Sequence, residues 1–329
     1  MFTHLHLHSE YSLLDGLGRI PGILDRVAAD GQVACALTDH GVLYGAIDFY
    51  REAKARGLNP IIGVEAYVAP GSRLQRDQEA KNPYHLTLLA KNRTGYSNLL
   101  KLVTSANLEG YYYKPRIDRD LLAQHHEGLI VLSGCPSSEV HRALQADRED
   151  DARAIASWYK DVFGEDYFIE VQRHGNLDEY NRLNPKLVDL ARWLGSPVVA
   201  TNDAHYVDRG DARFHDVLLC IGTNATVNEA NRMRFSDDSY YVTSEAEMRS
   251  LFDDLPEAID NTMLVAERCE LELDFDRLHL PVPDIPDGLT PDEYLAQLTR
   301  EGARRRYPDV DEAVQARIDY ELGVVRQTG

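Results

Sequence analysis

The chain reads as an α/β protein: a barrel of about seven strand–helix units with a short helical extension at its C-terminal side. Three observations predict this. Strand-sized apolar runs alternate with amphipathic stretches over the first two-thirds of the sequence. Histidines and carboxylates sit where those runs end. Beyond Leu273 the texture turns Pro-rich and then helical.

Taken in order, Phe2–His8 is expected as a strand and Ile20–Ala29 as a helix, with Pro21 in the first turn, where a missing amide donor costs nothing. Val33–Thr38 is an apolar strand that ends in Asp39-His40-Gly41. Tyr44–Arg56 has helical period and stops at Gly57, a residue suited to the turn after a helix. Ile61–Val68 and Tyr84–Ala90 are expected strands around a polar loop, Gly71–Asn82, and Gly95–Asn107 is expected as a helix. Leu129–Ser133, Tyr167–Gln172 and Val198–Asn202 read as strands separated by the helical stretches Glu149–Phe163 and Asp178–Leu194. This rhythm predicts parallel βα units, and about seven of them suit a barrel better than an open sheet. Further on, Leu280–Gly288 is a Pro-rich linker, and Thr290-Pro-Asp-Glu293 is a capping box opening a helical segment, Tyr294–Gln327. The expected division is a barrel over 1–280, then a linker and the first helices of a further domain over 281–329, cut off at Gly329.

Composition narrows the class. At 43% apolar residues the chain is globular, and no apolar run approaches the roughly 20 residues that span a bilayer. No signal peptide is visible at the N-terminus. Cys35, Cys135, Cys220 and Cys269 are far apart and form no Cys-x-x-Cys pair, which points to a reducing cytoplasm and not to a disulfide framework. A net charge of −19 makes the chain a poor stand-alone duplex binder, because duplex affinity comes largely from Lys and Arg releasing counterions. If it acts on DNA, a neighbouring domain or subunit supplies the grip; the plain alternative is that excess acid keeps it soluble.

The chemistry sits in two histidine-bearing clusters, His4-Leu-His-Leu-His8 and Asn202-Asp-Ala-His205. In an extended segment, side chains at i and i+2 share a face, so His6 and His8 can converge on one ion, as can Asp203 and His205. Glu65 lies between Val64 and Ala66 in an apolar strand, where a carboxylate without a partner is costly. Asp39, His40, Cys135, Asp203 and His205 all follow expected strands, and residues at the C-terminal ends of barrel strands meet at one mouth. Several have plain alternatives: Asp15 before Gly16 as a turn former, Cys135 as a buried thiol, Asp39 as a cap or an orienting group, His4 as packing. His125, His126, His141, His174, His215 and His279 fit surface or packing roles. Arg116, in Tyr111-Tyr-Tyr-Lys-Pro-Arg116, and Arg173 are candidates for phosphate contact. That aromatic and basic run also suits base stacking, the alternative being a solvated loop.

The opening Phe2-Thr-His-Leu-His-Leu-His-Ser-Glu-Tyr-Ser-Leu-Leu-Asp-Gly16 resembles the start of the alpha subunits of bacterial replicative DNA polymerase III. So do Leu37-Thr-Asp-His-Gly41, Gly63-Val-Glu-Ala-Tyr67, Leu132-Ser-Gly-Cys135 and Ala200-Thr-Asn-Asp-Ala-His-Tyr206. The resemblance runs nearly the full length. It implies a polymerase-and-histidinol-phosphatase (PHP) domain, a distorted seven-stranded (β/α)7 barrel, with a helical tail leading toward palm and thumb regions. The polymerase aspartates are absent from this chain.

Family members with an intact site bind up to three divalent metals, zinc or manganese, with magnesium fitting less well. By that resemblance His6, His8, Glu65 and Asp203 hold the first metal and carry catalysis. Glu65 bridges to a second metal held by His85 and Cys135, and Asp15, His40 and His205 hold a third. The implied activity is metal-dependent phosphodiester hydrolysis, a 3′–5′ proofreading exonuclease acting on a DNA primer end. The family also implies a sliding clamp, a separate proofreading subunit and other replicase subunits as partners, with no membrane. Two rivals are a metal-stabilised, non-catalytic scaffold and a small-molecule phosphomonoesterase of the histidinol-phosphatase type.

Overall fold

Short apolar runs become the strands β1 (Ala34–Leu37), β2 (Asn59–Val68), β3 (Tyr84–Ala90), β4 (Arg116–Ile117), β5 (Leu129–Leu132), β6 (Tyr167–Gln172) and β7 (Val198–Thr201). The computed structural model describes residues 1–175, 178–276, 281 and 283–328. His279, Leu280 and Val282 of the linker region, and Gly329, lie outside the described residues. Two compact units are present, Met1–Leu273 and Asp274–Gly329.

In the first unit the strands are ordered β1-β2-β3-β5-β6-β7, with β4 beside β2. β1, β5, β6 and β7 are buried along their whole length, which is why their sequences are mostly apolar and β1 and β5 are unbroken apolar runs. Residues Phe2–His8 close the ring. Ala36 N donates to His4 O at 2.7 Å and Thr38 N to Leu7 O at 2.9 Å on one side, and His8 N donates to Ala204 O at 2.8 Å on the other. The expected N-terminal strand is thus realised as isolated bridges, His4 to Cys35 and Leu7 to Ala204.

β3 departs from the all-parallel expectation. It runs antiparallel to both β2 and β5. The reason is its connection: between β2 and β3 the only helical residues are the short 3-10 turn Glu79–Lys81, too little for a crossover helix, so the chain returns beside β2 in the opposite direction.

Helices cover the ring: α1 (Ile20–Ala29), α2 (Ala46–Ala55), α3 (Arg93–Leu108), α4 (Arg119–Gln124), α5 (Glu139–Gln145), α6 (Glu149–Phe163), α7 (Asp178–Leu194), α8 (Ala212–Thr223), α9 (Glu245–Leu251) and α10 (Pro256–Arg268). α1 shows why they dock. Ile20, Ile23, Leu24 and Val27 fall on one face and are all buried, each stabilising by roughly 1.5–3 kcal/mol. Gly57, at φ +73°, makes the left-handed turn after α2.

The second unit holds α11 (Pro291–Arg306) and α12 (Glu312–Thr328). Thr290 and Glu293 form the expected reciprocal cap. The expected continuous helix over Tyr294–Gln327 is two helices, because Pro308 cannot extend the first one. Among the described residues no helix is long and apolar enough to cross a membrane.

Candidate metal centre

Nine side chains of ligand-forming type meet at one rim of the first unit. His6 and His8 come from the N-terminal segment that closes the ring, and Glu65 from β2, with His40 in the turn after β1. Cys135 follows β5 across Gly134, whose φ of +90° turns the chain back over the rim. Asp203 and His205 follow β7. His85 lies in β3 opposite Tyr67 near the end of β2. The reversed direction of β3 matters here: its first residues lie at the rim where the parallel strands finish, so His85 reaches the site from a strand start.

The distances are those of a shared site. His8 Nε2 and His6 Nε2 lie 3.1 and 3.4 Å from Asp203 Oδ1, and 3.5 and 3.4 Å from the Glu65 carboxylate oxygens. Glu65 also lies 2.7 Å from His40 Nδ1 and 2.9 Å from His85 Nδ1. Cys135 Sγ is 3.3 Å from Glu65 Oε1 and 3.6 Å from His85 Nδ1. His40 Nε2 is 3.2 Å from Asp15 Oδ2, and the His205 ring stacks on His8 at 4.3 Å. Three overlapping groups have ligand atoms close enough to share an ion: His6, His8 and Asp203; His40, Glu65 and His85; and His8, His40 and His205. The first holds three of the four residues expected around one metal and leaves out Glu65. In the other two, His40 and His8 take places that the resemblance gave to Cys135 and Asp15.

The donor chemistry fits divalent cations. His6 Nε2, His8 Nε2, His40 Nδ1, Glu65 Oε2 and Asp203 Oδ1 are buried and lack a hydrogen-bond partner, although they face one another. Buried polar atoms are normally satisfied. Five unsatisfied atoms converging on one volume are what a coordination site leaves when only its protein part is considered.

Charge balance points the same way. Burial pulls the His6 imidazole down, but Asp203, Glu170 and Glu65 outweigh it and hold the ring well above its usual range. Burial likewise opposes protonation of His40, and Asp15 and Glu65 overcome it. His8 is held neutral, at about 3, by burial and by the charges on His40 and His205. Burial favours protonated Glu65, Asp203 and Asp15, yet the surrounding imidazoles keep all three carboxylates well below their usual values. Burial, then the Glu65 and Asp203 charges, push the Cys135 thiol up. Protons on imidazole and thiol therefore do here what a bound cation would do instead.

A second layer orients these groups. Glu170 Oε1 sits 2.7 Å from His6 Nδ1 and accepts from Thr201 Oγ1 at 2.5 Å and Gln172 Nε2 at 3.0 Å. Asp39 accepts from Ser9 N, Ser9 Oγ and Ser12 Oγ at 2.7, 2.8 and 2.7 Å, and Ser12 Oγ lies 3.0 Å from His8 Nδ1. This is the orienting role expected of Asp39. His205 Nδ1 meets the Asp203 carbonyl at 2.7 Å, which leaves Nε2 to face the site. Asp203 has φ +47°, an uncommon conformation for a residue other than glycine and a form of strain often found at functional sites.

Other expectations resolve differently. His4 turns away to within 2.9 Å of the Thr243 carbonyl and is a packing residue. His141, His174 and His215 are buried packing residues too. Arg116 is not available to phosphate: it is fully buried, and its guanidinium donates to the carbonyls of Gly110, Ala80, Arg73 and Gln75. Arg173 is tied to Asp254 and the Leu251 carbonyl, away from the cleft. Among the described residues, the cation at the cleft is Arg234. It lines the same hollow of about 320 Å³ as His85, Cys135 and Asp203, and it is exposed. Glu170 and Arg234 were missed. Glu170 carries the signal that exposed Glu65, a carboxylate inside an apolar strand; Arg234 lies in a loop with no pattern to flag it.

A profile of the family described as PHP domain matches residues 4–174. DNA polymerase III subunit alpha of Borreliella burgdorferi is 46% identical over 332 residues, covering 98% of this chain and 28% of that protein. The same subunit of Treponema pallidum is 44% identical over 328 residues, with 98% and 28% covered. The chain thus spans a little over a quarter of the length of these curated relatives. An amidohydrolase from Chromobacterium violaceum, solved with bound sulfate and no metal, aligns at 17% identity and a TM-score of 0.39, covering 63% of this chain and 88% of that one.

Proposed function

The chain belongs to the PHP domain family, and from that premise we propose that its rim is a metal-dependent phosphodiesterase centre that shortens DNA from a 3′ end, as a proofreading exonuclease. The observation that carries this reading is the convergence of five buried, unpartnered ligand atoms, from His6, His8, His40, Glu65 and Asp203, beside an open cleft that His40, Glu65 and Asp203 line.

His6, His8, Glu65 and Asp203 would hold one cation, Glu65, His85 and Cys135 a second, and Asp15, His40 and His205 a third. The Cys135 thiolate favours zinc at its position over harder ions, and manganese suits the carboxylate and imidazole sets. Bound cations of this kind supply Lewis acidity, which activates water near neutral pH and offsets charge on the phosphate. The protein does the rest. Glu170 fixes the His6 ring from behind, and Ser12 relays Asp39 to His8, so the two imidazoles keep their Nε2 atoms toward Glu65 and Asp203. Arg234 at the cleft binds the phosphodiester.

Nine ligand side chains over three ions average about three each, which leaves positions for water and substrate; structural sites are normally closed by the protein. That favours chemistry over a metal-stabilised scaffold. We further propose that residues 281–329 lead into palm and thumb regions of a polymerase, with clamp, proofreading subunit and primer end reached through the longer protein. The reducing cytoplasm is the proposed location.

The test is incubation of the chain, and of a full-length enzyme carrying it, with 5′-labelled primer–template and manganese, beside Asp203→Asn. Stepwise shortening lost in the variant is the expected result. No shortening in either protein, with an unfolding temperature that drops on chelation, would establish the scaffold instead. Phosphate release from histidinol phosphate but not from DNA would establish the phosphomonoesterase.

A further inference from the structure

We infer that the groove adjoining the metal centre is a base-stacking subsite for single-stranded nucleic acid, the place where the bases behind a reacting 3′ end are held. The inference rests on the phosphodiesterase reading for its orientation, but its own support is separate.

A hollow of about 360 Å³ opens beside the cleft and is lined by Tyr11, Tyr44, Tyr67, Tyr111, Tyr113 and Lys114. Asp15 and His40 line both hollows, so the groove and the centre are continuous. Tyr67 is the hinge between them. Its ring stacks on His40 at 5.8 Å and meets His85 edge-on at 5.2 Å. Tyr44, Tyr111 and Tyr113 are more than half exposed, at 64%, 55% and 64%. A cluster of large rings open to water beside a reaction centre needs a partner that covers them.

The display of Tyr113 is built in. It sits at the tip of a tight turn, closed by Tyr112 N donating to Lys114 O at 3.1 Å, and it has φ +61°. A bulky residue held in the left-handed region is strained, and such strain persists only where the surroundings impose it. Arg116 imposes it: three of its hydrogen bonds tie the base of this loop to the carbonyls of Arg73, Gln75 and Ala80 in the β2–β3 connection, and a fourth holds the Gly110 carbonyl at the loop's start.

Chemistry chooses the occupant. Lys114 Nζ lies 5.2 Å from the Tyr67 ring centre and Lys81 Nζ 5.3 Å from that of Tyr113, so cations flank the π faces. Alternating rings and ammonium groups suit unpaired bases stacking while a phosphate backbone runs beside them. A duplex hides its base faces and demands the broad positive surface that a chain of net charge −19 lacks. A single strand, or a frayed primer end, needs neither.

The test uses the full chain in EDTA at low salt, so that binding is read without hydrolysis. The probe is a short fluorescein-labelled oligothymidylate, followed by anisotropy, and a matching oligonucleotide carrying 5-iododeoxyuridine near its 3′ end for photocrosslinking. The double change Tyr111→Ala, Tyr113→Ala is expected to weaken binding roughly tenfold or more, whereas Tyr111→Phe, Tyr113→Phe keeps the stacking faces and stays within about twofold. Crosslinks are expected in the peptide spanning 111–114. Wild-type protein that fails to bind, an alanine variant that binds like wild type, or crosslinks confined to other peptides would overturn the subsite; the last two would leave the rings to cover another protein. Failure of the exonuclease reading looks different: primer stays full length with manganese while the oligonucleotide still binds and crosslinks at the tyrosines.

Discussion

Glu170 grips His6 from behind, with its Oε1 2.7 Å from the His6 Nδ1 and both side chains fully buried. The contact fixes which ring nitrogen faces the cleft, and its negative charge makes that nitrogen a better donor to a cation. Glu170→Gln keeps the shape and can still accept from Thr201 and Gln172, so the fold should survive. Affinity for zinc is expected to fall about 10- to 100-fold, read by competition with a chromogenic chelator. Unchanged affinity would mean that His6 is not a ligand.

Metal capture should release protons, and Cys135 should account for one of them. Burial and the nearby carboxylates keep its thiol protonated in the cation-free protein, whereas a coordinating sulfur is a thiolate. Zinc affinity is therefore expected to rise with pH between about pH 6 and about pH 8. Calorimetry in two buffers of different ionisation heat should count about one fewer proton for Cys135→Ser than for wild type. Equal counts would place the sulfur outside the coordination sphere.

The two arginines first considered for phosphate contact should separate by stability. Arg116→Met removes the charged partner of four carbonyls in a fully buried setting, an expected loss of about 3–5 kcal/mol in urea unfolding. Arg173→Met breaks a pair with Asp254, which is 64% exposed, and should cost about 1 kcal/mol or less. Similar losses for both would show that Arg116 is not the anchor of its loop.

What could be read ahead of the structure, and what could not, follows from the range of the forces involved. β3 and β6 lie where their apolar runs placed them, since burying both faces of a strand leaves a local mark. The direction of β3 left none, because it depends on how much helix the β2–β3 connection contains. Glu65 stood out as a carboxylate amid apolar neighbours; Glu170, between Ile169 and Val171, carries the same mark. Arg116 shows the opposite limit. Its charge suggested a ligand, but three of its four partners are backbone carbonyls some forty residues away, and a carbonyl gives no sign in a sequence. Arg234 reaches the cleft through an irregular loop, whose course no periodicity describes.

Acid should destabilise the protein in a window set partly by His141. Burial lowers this imidazole from 6.5 to about 4, and it packs 2.9 Å from Ser138 Oγ, outside the ligand cluster. Below about pH 6.5 the unfolded chain takes up a proton that the folded one refuses until about 4, so stability falls as pH drops through that interval. The full effect is on the order of 3 kcal/mol. In EDTA, His141→Gln should flatten the acid limb by up to one proton. An unchanged slope would assign the acid sensitivity to other groups.

Arg234 offers the sharpest division between binding and chemistry. Its guanidinium lines the cleft with Asp203 and His205 and is exposed, donating to the Glu229 carbonyl at 3.3 Å. It lies in a loop, and its ligand-free interactions are those of a surface group, so Arg234→Ala should unfold like wild type. On an oligonucleotide substrate the variant should show a raised KM with kcat changed much less, because a contact made equally in ground and transition states acts on binding alone. The dependence of log KM on log salt should also flatten by about 0.7, the share of one phosphate contact on a single strand. A drop in kcat with KM unchanged would instead mean that the guanidinium meets charge developing at the phosphate, and would make Arg234 a catalytic residue. An unaltered salt slope together with unaltered kinetics would remove it from the site, leaving the lysines of the tyrosine groove as the positive charges that steer the strand.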